Sequence, residues 1–474
     1  MTQRFEKVSS IPAAPRELFD WHVRPGAFQR LTPPWQRVEV VRTTGEVPHD
    51  GSRVELRIKL GPVWRKWLVE HRDFIDGQSF TDVTLHGPFP EWTHHHRMEP
   101  ADETGQPGQE GQPDETGQPQ QQTALLRDTI DYRLPGGDLG RALGGSFSRK
   151  QIQRGFDYRH ATTAADLRTH QRAGDRRLTV AVTGSHGLIG SALCALLTGG
   201  GHRVIRLVRG EAEGENEAKW SPGEGLLEPA KLEGVDAVVH LAGENIVGRW
   251  TPDKRRRIRE SRETATKLLA RGLAELDSKP SVLISASAVG IYGDRGGEVL
   301  HEDAEPGEGF LADVALEWER AADPAREAGI RVVHPRIGMV LTPAGGALQQ
   351  TLPVFQLGLG GVLGSGRQVW PWITLDDVID AMHFALFEDT LEGPVNFAAP
   401  ESVTNRTFTK TLGRVLGRPT LLPVPKFAPR LAFGELADAL LFASIDARPA
   451  ALQQAGFPFR QPTLEGGLRH VLGR

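Results

Sequence analysis

The sequence predicts two folds in series. An α+β domain on antiparallel strands covers residues 1–168, and an α/β domain with a doubly wound parallel sheet follows over 178–400, closed by a helical cap over 401–474. Three observations predict this. From Leu178 onward, short apolar runs rich in β-branched residues alternate with helical patterns, which is how a parallel sheet covered on both faces reads. Before Arg168, strand-like runs follow one another with turn signals between them and end in one long helical pattern. The polar stretch Ala161–Arg176 crosses from one pattern to the other, and the linker is placed at 169–177.

A length of 474 residues allows two or three domains. Charged residues make up 24% and the net charge is −4, so no basic field points to nucleic acid. The densest basic run, Lys254–Arg262, spreads its charge around a helix and reads as a solvated surface. The single cysteine, Cys194, permits no intramolecular disulfide and fits a reducing, cytoplasmic location. It reads as a small core residue. The segment MTQRFEKVSS has no signal-peptide pattern, and no run of ~18 apolar residues suggests a membrane span.

In the first domain Gln3–Ser10 reads as a strand, and Pro15–His22 and Pro25–Leu31 as short helices, with Pro15 suited to a first turn. Strands are expected over Arg37–Thr43, Ser52–Leu60, Val63–Phe74, Ser79–His86, Glu91–Glu99 and Thr123–Leu134, with turns at Asp50-Gly51 and Asp76-Gly77. Over Asp138–Tyr158 the spacing puts Leu139, Leu143, Phe147, Ile152 and Phe156 on one helix face, which Gly144-Gly145 weakens or bends. Pro100–Gln122 carries DETGQP twice and cannot bury a core, so it reads as a disordered insertion. Of His94-His95-His96, the first and last share a strand face. The sequence places no acidic or cysteine partner beside them, so a surface or packed strand is expected and no metal.

This element order resembles the helix-grip fold of the START-like, polyketide cyclase/dehydrase (SRPBCC) superfamily, in which a curved sheet wraps a long C-terminal helix around an apolar cavity. The resemblance implies an apolar or lipid-like ligand. Trp64, Trp67, Phe74, Phe80, Phe89 and Trp92 either line such a cavity or fill the core.

In the second domain strands are expected over Leu178–Val182, Arg203–Val208, Ala237–Leu241, Ser281–Ser285, Arg331–Pro335 and Pro394–Ala398. The first runs into Thr183-Gly184-Ser185-His186-Gly187-Leu188-Ile189-Gly190 and then a helical pattern through Leu193, Leu196 and Leu197. Strand, glycine turn and helix in that order form a dinucleotide cradle of the Rossmann kind. Gly184 permits the tight turn, Gly187 the approach of a pyrophosphate, and Gly190 close packing of helix on strand; the helix N-terminus favours the phosphate charge. Arg209, ending the second strand, suits a 2′-phosphate and favours NADP over NAD. Small residues after the strand at Ala237, in Leu241-Ala242-Gly243, let the backbone pass close to a cofactor. Ser285–Gly293 ends the next strand at the rim where an open parallel sheet holds its cleft.

TGSHGLIG, HLAG and SASAVGIYG resemble the extended short-chain dehydrogenase/reductase superfamily. ENIVGRWTPDKRRRIRESR, PRIGMVL, GGALQQTLPVFQLGLGGVLGSGRQVWPWITLDD and GFPFRQPTLEGGLRHVL resemble its epimerase-like (NAD-dependent epimerase/dehydratase) branch with a C-terminal tail domain. The resemblance implies an oxidoreductase or epimerase acting on a small molecule. It gives the cofactor-side positions to Thr183, Gly184, Ser185, Gly187, Leu188, Ile189, Gly190, Arg209, Leu241, Ala242 and Gly243, and the active-site serine position to Ser287. Gln368, Trp370 and Trp372 fall where related enzymes cover the substrate.

The chain departs from the superfamily at its catalytic tyrosine. Where Tyr-x-x-x-Lys is expected it reads Gly309–Trp318, without tyrosine or lysine. Of its three tyrosines only Tyr292 lies in this domain. The remaining proton donors are Tyr292, a carboxyl group such as Asp313, or water. A non-catalytic dinucleotide sensor is the alternative to an enzyme.

Overall fold

The computed structural model describes residues 2–101 and 122–474; both DETGQP repeats lie outside them. Contacts divide the chain into Met1–Gly174 and Asp175–Leu472.

In the first unit β1 (Gln3–Ile11) is followed by α1 (Pro15–Val23) and α2 (Ala27–Leu31). Then come β2 (Val38–Thr44), β3 (Arg53–Leu60), β4 (Val63–Ile75), β5 (Ser79–His86), β6 (Glu91–Pro100) and β7 (Ala124–Arg133). They form one antiparallel sheet in the order β1-β7-β6-β5-β4-β3-β2, so hairpin follows hairpin and β1 closes beside β7. The helix α3 (Gly137–Arg172) packs on β1. Its core residues include Ile152, Phe156 and Leu167.

Three expectations need correction here. α3 runs to Arg172, so the expected linker 169–177 is helical over its first residues. The polar appearance of that stretch misleads because its Thr163, Asp166 and His170 face the protein and are buried. Asp166 takes two hydrogen bonds from Arg30, at 2.7 and 2.8 Å. Phe147 is 68% exposed, so it does not share the buried face of Ile152 and Phe156. Trp64 lies an odd number of residues from Trp67 and so takes the opposite sheet face, where it stacks under Arg57. Trp67, Phe89 and Trp92 gather with Tyr132 in one half-buried aromatic group.

The second unit opens with β8 (Thr179–Thr183), α4 (Leu188–Gly199) and β9 (Arg203–Val208). β10 (Glu217–Ser221), β11 (Leu226–Leu227) and β12 (Ala237–His240) follow, then α5 (Pro252–Ala274), β13 (Val282–Ser285) and β14 (Ser287–Ala288). Parallel pairing runs β10-β9-β8-β12-β13, then the strands Arg331–Ile337 and Gly393–Phe397. β10 has no counterpart among the expected strands; only Ala218 and Trp220 mark its buried face.

Leu193, Leu197, Ile379 and Met382, from α4 and the helix Leu375–Phe387, cover one sheet face against Val180, Val182 and Val239. Leu269 and Leu273 of α5 cover the other against Ala181, Val238 and Leu283. Each such fully buried leucine contributes about 1.5–3 kcal/mol over an exposed one. Cys194 belongs to the first of these cores, and burial pushes its thiol up to about 11. The C-terminal helices Asn405–Leu416 and Leu464–Leu472 close the unit. Among the described residues no helix is long and apolar enough to cross a membrane.

Candidate functional site

The order of the sheet reverses between β8 and β12, because β9 lies on one side of β8 and β12 on the other. Ligands of open α/β sheets bind beyond the strand ends at such a point. Here β8 ends in the glycine turn. Gly184 has φ +65°, and a Cβ on it would meet the backbone of Leu241 and Ala242 at 2.9 Å. A Cβ on Gly190 would lie 2.2 Å from the carbonyl oxygen of Gly184. These positions therefore require glycine for packing alone. Gly187 is exposed at the start of α4, which has no side-chain cap and no acidic residue in its first turn. Its free N–H groups and dipole suit an anion. Leu188 and Ile189 are half-buried beside it.

Thr183 and Ser185 point inward. The Thr183 hydroxyl meets His240 Nδ1 at 2.7 Å and accepts from the amides of Leu241 and Ala242 at 3.0 and 3.2 Å. Its side chain ties the ends of β8 and β12 together and is spent there, so only its backbone is available to a ligand. His240 is also held by Thr266, and burial pushes it down to about 3, leaving it neutral. Ser185 is buried, with Oγ 3.4 Å from His186 Nδ1. Gly243 lies under Arg262, whose Cζ would be 3.3 Å from a Cβ there. At the end of β9, Arg209 is exposed and holds no ion pair among the described residues. A dinucleotide thus fits the residues present: an uncapped helix start, glycines that admit no side chain, and a free cation one strand away.

At the rim, the Ser287 hydroxyl donates to Glu319 Oε1 at 2.7 Å. Glu319, on α6 (Phe310–Arg320), takes Nε and a terminal nitrogen of Arg336 at 2.9 and 3.0 Å. Arg336 donates to the Tyr292 hydroxyl at 2.9 Å and to the Glu302 carbonyl at 2.9 Å. The Tyr292 hydroxyl reaches Asn396 Oδ1 at 2.8 Å and the His301 carbonyl at 3.1 Å. Its ring is fully buried among Ile291, Leu300 and Ala447. Burial raises the phenol's pKa against the opposing pull of Arg336.

Tyr292 is thus buried, with its hydroxyl engaged by Asn396, Arg336 and the His301 carbonyl. Asp313 is exposed on α6. Sequence reasoning missed Glu319, Arg336 and Asn396. The signal was present for Arg336, a buried cation near the end of the mostly apolar strand Arg331–Ile337.

The expected substrate-covering residues are mostly core. Gln368 donates its amide to the Leu363 and Leu441 carbonyls at 3.2 and 3.1 Å. Trp372 donates to the Glu401 carbonyl at 3.0 Å and packs with Phe408 and Leu468. Trp370 joins the same core but leaves its indole N–H without a hydrogen bond.

The fold and site define a class: the chain belongs to the NAD dependent epimerase/dehydratase family, whose profile matches residues 180–397. A domain of unknown function matches 424–471, and the polyketide cyclase/dehydrase and lipid transport family matches 11–155. An epimerase family protein of Mycobacterium bovis is 45% identical over 296 residues, 62% of this chain and 98% of that one. A structure titled nucleoside-diphosphate sugar epimerase, from Corynebacterium glutamicum, superposes with a TM-score of 0.78 at 32% identity, covering 99% of this chain and 90% of that one. The human epimerase family protein SDR39U1, solved with NADPH, matches at TM-score 0.56 and 32% identity over 62% of this chain and 99% of its own.

Proposed function

We propose that the second unit is an NADP-dependent oxidoreductase or epimerase-like enzyme acting on an unidentified small molecule, and that the first unit takes an apolar ligand. The observation that carries the cofactor reading is the uncapped start of α4 at the sheet's reversal point, with the unpaired Arg209 at the end of β9. The human relative solved with NADPH supports it. The backbone of Gly184–Gly190 would hold the pyrophosphate, Arg209 a 2′-phosphate, and Leu241, Ala242 and Gly243 the side of the nucleotide. The nicotinamide supplies hydride transfer when bound.

Ser287 is the residue left to position a substrate oxygen. Its proton lies toward Glu319, so its lone pairs can accept from a substrate hydroxyl, and a proton reaching Ser287 has a carboxylate to pass to. For the first unit, the match to a lipid transport family and the aromatic group of Trp67, Phe89 and Trp92 support an apolar ligand.

One observation favours a second reading, a non-catalytic dinucleotide sensor. Tyr292 is locked internally and α6 carries neither tyrosine nor lysine. The discriminating assay follows NADPH oxidation by the full chain across a panel of aldehydes, ketones and nucleotide sugars. Turnover that falls at least about a hundredfold in Ser287→Ala supports the enzyme. NADPH binding without turnover on any member supports the sensor.

A further inference from the structure

We infer that the first unit holds a divalent transition-metal ion on Asp82, His94 and His96. The sequence favours a surface or packed strand here because spacing along the chain does not reveal the acidic partners that neighbouring strands supply. β5 sets Asp82 opposite His94, and β7 sets Asp128 opposite His96. His94 and His96 are buried, and His95 faces outward.

Asp82 Oδ2 lies 3.3 Å from His96 Nε2 and 3.8 Å from His94 Nδ1. One ligand atom from each of the three residues falls within 4.8 Å of the others. Ligands about 2.0–2.1 Å from a tetrahedral zinc stand about 3.3 Å apart, so Asp82 and His96 are nearly in place and His94 needs a shift of up to about 1.5 Å.

The far side of each ring makes the case. His94 Nε2 lies 2.9 Å and His96 Nδ1 2.8 Å from Asp128 Oδ1. His96 therefore has a carboxylate oxygen close to each of its nitrogens, yet a neutral imidazole has one N–H; His94 bonds Asp128 through Nε2 and leaves Nδ1 3.8 Å from Asp82. Protonating both rings would set two cations 3.8 Å apart, centroid to centroid.

A divalent ion resolves the conflict. It takes the lone pairs on the Asp82 side and leaves His94 Nε2–H bonded to Asp128 and His96 Nδ1 2.8 Å from the same carboxylate, the kind of outer partner that orients metal-bound histidines. Its two charges balance the two carboxylates. Asp128 Oδ2 is held by His160 Nε2 at 2.7 Å, and Asp82 Oδ1 lies 3.3 Å from His71 Nε2, so the outer partners are present as well. Three protein ligands leave a fourth position for water or for an oxygen donor on a bound ligand.

The test titrates the tag-free full chain, stripped with chelator, with Co²⁺ and reads the visible spectrum. Expected are one Co²⁺ per chain, four-coordinate bands, and displacement by Zn²⁺. Asp82→Asn and His94→Gln should each weaken binding by more than ~10-fold, while His95→Ala leaves it unchanged. Failure of the wild type to bind Co²⁺ or Zn²⁺ at micromolar concentration, or equal binding by folded Asp82→Asn, overturns the proposal. Should neither variant fold by circular dichroism, zinc-edge absorption on the wild type decides. Two imidazoles in the coordination shell support the site, and fewer overturn it.

Discussion

Replacing Glu319 with glutamine keeps the side chain's shape and removes its charge. The amide oxygen can still accept from Ser287, but the amide nitrogen then confronts the donors of Arg336. That guanidinium is 6% exposed, and the carboxylate has held it at 2.9 and 3.0 Å. Stranding one partner of a buried pair costs about 3–5 kcal/mol. Arg336 keeps the Glu302 carbonyl and the Tyr292 hydroxyl as acceptors, so the lower end, about 3 kcal/mol, applies. A unit of about 300 residues has a melting entropy near 0.6 kcal/mol per kelvin, which makes the expected fall in Tm about 5 °C. Calorimetry of the full chain measures it. The double variant Glu319→Gln/Arg336→Met should recover part of the loss, because the stranded charge is gone. A Tm within about 1 °C of wild type would refute the reasoning: the pair would then be wet, and Tyr292 would be open to substrate after all.

Gly190→Ala places a methyl 2.2 Å from a backbone oxygen that cannot swing away, so the turn must shift. The expected cost is about 1–3 kcal/mol by denaturant titration, together with loss of NADPH binding. Tyr292 has a raised folded-state pKa, so its contribution is present below the ordinary value of 10 and is lost as pH climbs past it. Wild type should therefore lose stability above pH 10 relative to Tyr292→Phe, as read by urea midpoints against pH; parallel curves would contradict the burial of the phenol.

Patterns that depend on near neighbours in the chain were legible in the sequence. The glycine turn declared itself because strand, turn and helix are consecutive, and the alternation of the first unit gave its hairpins almost residue by residue. What was hidden depends on residues far apart. Asp82 and Asp128 meet His94 and His96 only through strand pairing. Glu319 and Arg336 come from α6 and a later strand to hold Ser287 and Tyr292. A tyrosine five residues beyond a rim serine invites a catalytic reading, and only the fold reveals that its hydroxyl turns inward to Asn396. The tail of α3 misled for the opposite reason, since polar side chains can face a protein interior when they find partners there, as Asp166 finds Arg30.

The central claim is that the turn after β8 and the free Arg209 hold NADP(H). Fluorescence titration of the full chain with NADPH and NADH, repeated with Arg209→Ala, tests it most directly. Charge-assisted hydrogen bonds of about 1.5–3 kcal/mol predict that Arg209→Ala weakens NADPH about 10- to 100-fold and leaves NADH unchanged. Binding of neither nucleotide, or equal affinity for both that ignores Arg209→Ala, would contradict it.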